Sequence, residues 1–192
     1  MHVWTVARTE GVLRQTEPGK DRDVDLAACR REWESFQILV RSPGPVPGVR
    51  VEPGDLVGPG GHCLSAQQAE IYRQHQLHIT IGTYRNTEFQ PDWYPDALIP
   101  ARLPSEAVRV DKARYTAMPF DLPAGETHGF WVDIYIPPGT PAGLYQGRYR
   151  LLAADGRQAE IPVRLKVWEF DLPRVSSLYT AFGSPGGSLR GY

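Results

Sequence analysis

Apolar and polar residues alternate with a period of two along most of this chain. In "WESFQILVR" the residues Phe36, Ile38 and Val40 share one face, with Glu34 at its start. In "QLHITIG" Leu77, Ile79 and Ile81 oppose Gln76, His78 and Thr80. In "FWVDIYIP" Phe130, Val132, Ile134 and Ile136 alternate with Trp131, Asp133 and Tyr135. In "IPVRLKVW" Ile161, Val163, Leu165 and Val167 alternate with Pro162, Arg164, Lys166 and Trp168. Successive side chains of a strand point to opposite faces, so each run predicts a strand with one core face and one wetter face. Phe36, Ile38, Leu77, Ile79, Val132, Ile134, Val163 and Leu165 are the expected core.

The stretch from 129 to 168 reads as a three-stranded meander. Its first connection is Pro137-Pro138-Gly139-Thr140-Pro141, and its second is a tight turn at Asp155-Gly156, where glycine tolerates positive φ. Tyr145, just after "PAG", matches the tyrosine corner of immunoglobulin-like sandwiches, in which a Tyr hydroxyl bonds back to the backbone at a crossing between sheets. A plain core Tyr is the alternative. "SAQQAEIYRQHQ" contains helix formers but runs uncapped into "QLHITIG", which predicts a strand over 69 to 83, with a bulge and a short turn before it. "DLAACRREWESF" has helical propensity and runs directly into a strand pattern. The connections "RSPGPVPG", "PGDLVGPGG" and "EFQPDWYPDALIPARLPSE" are rich in Pro and Gly. The last is long for a compact domain, which marks it as functional or interfacial. The expected fold is all-β: an antiparallel two-sheet, immunoglobulin-like β-sandwich with long Pro/Gly-rich loops, over residues 1–173.

Composition narrows the function classes. Apolar residues make up 41 %, enough for a sizeable core in a chain of this length. The net charge of −1 and the scattered Arg residues argue against a nucleic-acid partner. No apolar run is long enough to cross a membrane as a helix, so no membrane partner is expected. "MHVWTVARTE" lacks the basic and apolar regions of a signal peptide; the compartment stays open, with the cytoplasm favoured. Cys29 and Cys63 allow one bridge at most, and two buried thiols are the simpler expectation.

Candidate chemistry is sparse. His62, Cys63, His75 and His78 lie close in sequence, but a regular strand sends His75 and His78 to opposite faces, so no metal site is expected. Glu32 and Glu34 would share a strand face, and Asp92 and Asp96 lie in the long loop. Neither pair has the look of two carboxyl groups flanking a bond across a cleft. Neither a nucleophile elbow, a phosphate loop nor a dinucleotide fingerprint occurs, and no cofactor is expected. Trp93 and Tyr94, near Phe89, are the aromatic candidates: such rings anchor protein interfaces or stack on sugars. Trp4, Trp33, Trp131 and Trp168 fall in strand runs and read as core or sheet-face residues.

Six strings occur in order: "ESFQILV", "DLVGPGG", "YPDALIP", "FWVDIYIPPGTPAGLYQGRY", "IPVRLKVWEFDLP" and "LYTAFG". Together they resemble the N-terminal region of bacterial glycoside hydrolase family 123-like proteins, over nearly the whole chain. The resemblance implies an N-terminal β-sandwich followed by a (β/α)-barrel. In characterised members the barrel removes N-acetylgalactosamine from glycans, using an adjacent Asp-Glu pair and the substrate's own acetamido group. No position here matches that pair, so no catalytic residue is carried over. The chain departs from the family's polar stretch before the Trp, having Glu126-Thr127-His128-Gly129-Phe130. On this reading residues 1–173 are a β-sandwich accessory domain, and 174–192 are a linker and the start of a C-terminal barrel that the chain lacks. The expected function is a non-catalytic accessory domain that packs on that barrel in cis and shapes one side of its cleft. The alternative is a carbohydrate-binding module that uses the loop aromatics, with glycans as partner. Trp93, Tyr94 and Asp96 are the expected contacts, joined by Leu178, Tyr179 and Phe182 from the chain's tail.

Overall fold

The computed structural model describes residues 1–83, 85–102 and 115–175. Its strands are β1 (His2–Ala7), β2 (Val24–Arg30), β3 (Trp33–Arg41), β4 (Val46–Glu52), β5 (Leu56–Val57) and β6 (Cys63–Leu64). They continue as β7 (Ala69–Ile79), β8 (Asp92–Pro100), β9 (Phe120–Leu122), β10 (Thr127–Tyr135), β11 (Gly143–Leu152) and β12 (Gln158–Asp171). Among the described residues they form two sheets. The first has the order β1-β3-β10-β7-β8. The second has the order β2-β12-β11-β4-β9, with β5 against β11 and β6 against β5.

The core lies between the sheets, where the alternating runs turn their apolar sides inward. Phe36, Ile38, Phe130, Val132, Ile134 and Ile136 face Ile161, Val163, Leu165, Tyr149 and Leu151, all buried. This is the all-β two-sheet sandwich that the alternation predicts. The pairing is antiparallel except between β2 and β12, which run parallel with Val24 opposite Val163.

Four expectations need correction. The stretch 129–168 is not one meander: β10 pairs with β3 and β7 in the first sheet, whereas β11 and β12 pair in the second. The Pro137–Pro141 connection therefore carries the chain between sheets, and only β11–β12 is a hairpin. The turn of that hairpin holds Gly156 at φ 88°, and the Ala153 N–H donates to the Arg157 carbonyl. Second, residues 92–100 are not a loop but the edge strand β8, paired with β7. Pro95 and Pro100 remove N–H donors from that edge, which discourages further strand addition. Third, Leu77 is exposed, Ile79 half-buried and Ile81 exposed. The pairing register shifts between His75 and Gln76, and β10 accompanies β7 only as far as Gln74. Beyond that point, among the described residues, β7 pairs with β8 alone, as a two-stranded arm. Fourth, Cys29 is buried but Cys63 is exposed, and both thiols are free.

Tyr145 fills the tyrosine-corner role. Its side chain is fully buried, and its hydroxyl donates to the Pro141 carbonyl at 2.9 Å, four residues upstream. Gly58 makes room for the ring, because a Cβ there would lie 2.4 Å from the Tyr145 ring carbon Cε1.

Two measurements check this packing. Ile134→Ala should lower unfolding free energy by about 2–5 kcal/mol, and Leu77→Ala by less than about 1 kcal/mol. Equal urea midpoints for the two variants would contradict the assigned strand phases. Tyr145→Phe should cost about 1 kcal/mol through loss of the hydrogen bond to Pro141; an unchanged midpoint would show that the bond does not hold the crossing.

Candidate functional site

The expected contact residues lie on the β7–β8 arm. Trp93 sits opposite His78, and their rings stack with centroids 5.0 Å apart. The Arg14 guanidinium lies 3.5 Å from the Trp93 ring centroid. Arg14 is held in turn: its Nε donates to Gln76 Oε1 at 2.7 Å and lies 3.5 Å from Glu126 Oε2. Tyr94 stacks on Phe89, and its hydroxyl donates to the Gln90 carbonyl at 2.7 Å. Asp96 is exposed further along β8, and Trp93 keeps 36 % of its surface. The arm thus presents a Trp fixed in place by neighbours on two other segments, a preorganised anchor.

Its root reaches the interior. Glu126 Oε2 lies 2.8 Å from His128 Nε2, and the His128 ring packs on Phe120, which also lies under the Arg73 guanidinium. Burial pushes the His128 imidazole below its ordinary 6.5, helped by Arg14 and Arg73 and opposed by Glu126.

A second cluster sits where β12 ends. β11 accompanies β12 only to Gly143, opposite Val167. Past that point Trp168, Phe170 and Leu172 are exposed by 42, 56 and 41 %. The segment is nevertheless tied down. Asp171 forms ion pairs with both Arg30 and Arg31, and the Leu172 N–H donates to the Arg30 carbonyl at 3.0 Å. These guanidiniums hold the Asp171 carboxyl below its ordinary range. The sequence pattern placed Trp168 on a strand as a core or sheet-face residue and ended the sandwich at "WEFDLP", with nothing to mark Phe170 and Leu172 as exposed. Their signal was a change of phase: the apolar positions move from Ile161, Val163, Leu165 and Val167 to Trp168, Phe170 and Leu172, on the opposite face.

The two clusters lie at opposite ends of the sandwich. Asp171 pairs at the end of β2, beside the start of β3, where Trp33 faces Tyr135. Trp93 lies beyond the other end of β10, about 30 Å away at ~3.3 Å per strand residue. Leu178, Tyr179 and Phe182 lie outside the described residues, so the expected union of the arm with the tail is not observed.

The remaining candidates are occupied locally. His62 Nδ1 lies 3.1 Å from the Tyr145 hydroxyl, and the His75 ring lies 4.2 Å from that of Tyr115. Among the described residues no three His, Cys, Asp or Glu side chains are grouped to hold a metal. Glu32 precedes β3 rather than lying on it, and its carboxylate accepts from the Cys29 N–H and thiol. Glu34 pairs with Arg8, and Asp92 accepts from the Trp93 N–H.

Comparison with known proteins places this geometry. The family model for the glycoside hydrolase 123 N-terminal domain matches residues 12–153. Among solved structures, a family 123 glycoside hydrolase from Clostridium perfringens, studied for glycolipid glycan hydrolysis, superposes with a TM-score of 0.71 at 14 % identity. The match covers 89 % of this chain and 28 % of that enzyme, so the chain spans under a third of its length. MyfA, the major subunit of Myf fimbriae from Yersinia enterocolitica, matches with a TM-score of only 0.37 at 14 % identity, over 88 % of this chain and 100 % of that one. No curated protein matches the chain.

The arm root should respond to pH. A buried His whose folded pKa is depressed contributes stability above its unfolded value and loses it as pH falls through that value. The urea midpoint should therefore drop from about pH 7 to about pH 5, and drop less in His128→Gln. Parallel pH profiles for the two proteins would show that His128 is not the group responsible.

Proposed function

Because the chain belongs to the family of glycoside hydrolase 123 N-terminal domains, we propose that it is the non-catalytic accessory domain of a glycoside hydrolase, packing on a C-terminal catalytic barrel and shaping one side of its cleft. The observation that carries this reading is the end of β12. There an exposed apolar run, Trp168, Phe170 and Leu172, is clamped by Arg30 and Arg31 through Asp171. Exposed apolar clusters mark interaction surfaces. A domain joined a few residues further on would meet this surface at high effective concentration, and the clamp would set its direction.

The β8 edge is the flank along which such a domain would extend. Trp93, Tyr94 and Asp96 are then its outlying contacts, with Leu178, Tyr179 and Phe182 on the connecting segment. The glycan hydrolysis attributed to the Clostridium perfringens enzyme would reach this protein through the barrel, which would supply the catalytic carboxyl groups.

The 192-residue chain should turn over neither aryl N-acetylgalactosaminides nor aryl glucosides above a buffer blank. Turnover that disappears on mutating one of its own Asp or Glu residues would overturn the accessory reading. The coding sequence beyond Tyr192 gives the complementary check: an adjacent Asp-Glu pair in a barrel supports the proposal, and a stop codon removes it.

A further inference from the structure

The outer face of the first sheet is covered at one end by a segment of the described chain. Toward the arm, the segment between β1 and β2 folds over it: Val12 packs with Trp4 and Leu39, and Gln37 Nε2 donates to the carbonyls of Ala7 and Glu10. Toward the β12 end, among the described residues, the face carries a row of paired side chains of its own. There Trp33 stands opposite Tyr135, Ser35 opposite Asp133, Asp133 opposite Glu70, and Trp131 opposite Tyr72. Directly paired residues share a face, and this one is opposite to the buried Phe130, Val132 and Ile134.

The arrangement joins rings and acceptors on one surface. Trp33 is 45 % exposed and packs against Tyr135, centroids 5.0 Å apart. Trp131, Tyr135 and Tyr72 are half-buried, so each is held yet shows part of its ring. Asp133 Oδ1 accepts from both Ser35 Oγ and Trp131 Nε1 at 2.6 Å, and Glu70 Oε2 accepts from the Tyr72 hydroxyl at 2.5 Å. That bond, with burial, pushes the Tyr72 hydroxyl up to about 12, so it stays protonated. Each carboxylate keeps its second oxygen clear of these bonds, and among the described residues neither forms an ion pair with an Arg or Lys.

We propose that this platform is a glycan-binding site for uncharged sugars. Aromatic rings offer the flat apolar surface that a pyranose C–H face covers, and the spare carboxylate oxygens accept from its hydroxyls. Two like charges directly opposite each other disfavour the sheet; Ser35, Trp131 and Tyr72 satisfy one oxygen of each carboxylate, and neutral sugar hydroxyls would satisfy the other without adding charge. A protein surface would bury Asp133 and Glu70 at a desolvation cost unless it brought its own cations. The same two carboxylates repel sialylated or sulfated glycans. The site goes beyond the accessory role and requires no catalytic barrel.

Isothermal titration of the 192-residue chain tests it, with a neutral N-acetylgalactosamine-terminated oligosaccharide and its sialylated counterpart as probes. The neutral sugar should bind saturably and the sialylated one more weakly. Trp33→Ala, at an exposed position, and Asp133→Asn should each weaken binding about tenfold or more, with Trp93→Ala unchanged. Circular dichroism confirms that the variants fold. Absence of binding up to about 10 mM ligand, or binding lost in Trp93→Ala and kept in Trp33→Ala, overturns the proposal. So does hydroxyl-radical footprinting of the intact protein in which Trp33 and Tyr135 are protected without sugar, since that assigns the face to a protein contact. A barrel missing beyond Tyr192 would leave this titration unaffected, so the two readings fail separately.

Discussion

The hydrogen bond from the Tyr145 hydroxyl to the Pro141 carbonyl fixes the place where the chain leaves one sheet for the other. It closes a loop of five residues around a buried ring, at the junction between a strand of the first sheet and a strand of the second. β10 and β11 can then face each other across the core instead of lying side by side. Ile134 on β10, with Ile136 just past its end, and Tyr149 and Leu151 on β11 become opposing walls of one interior. Trp131, Asp133 and Tyr135 are thereby turned outward.

The same crossing sets where chemistry can lie. With β10 central in the first sheet, its outer residues align with Trp33 and Ser35 on one side and with Tyr72 and Glu70 on the other. With β11 and β12 in the second, β12 outruns its partner and leaves the sandwich beside the β2–β3 turn. The aromatic platform and the clamped apolar run therefore share one end of the molecule. The β7–β8 arm projects from the other, where its Trp is secured by Arg14.

Period-two alternation made the long strands β3, β10 and β12 and six core positions on them legible, because those strands are flanked on both sides and covered by the opposing sheet, whereas β4, β5 and β8 lie in stretches whose Pro and Gly read as loops. It failed at Leu77 and Ile79, where alternation continued but the covering sheet did not. Burial is a tertiary property, and periodicity reports only which residues share a face. The Pro137–Pro141 stretch shows the same limit. Pro and Gly announce a change of direction without saying whether the next strand is a neighbour or lies across the core. Trp93 was legible as an aromatic in an unusual segment, but its strand pairing and its guanidinium partner come from residues distant in the chain. The platform went unread because its members are spread over β3, β7 and β10, and each looked like an ordinary outward-facing residue.

An accessory role requires the β12 end to be a seat for a second domain. Hydrogen exchange followed by mass spectrometry, comparing residues 1–192 alone with the same residues joined to the proposed C-terminal barrel, measures this directly. Exchange at residues 168–172 and at the β2–β3 turn should be slower in the joined form, with the core strands unchanged. Identical exchange at that end in both forms would contradict it.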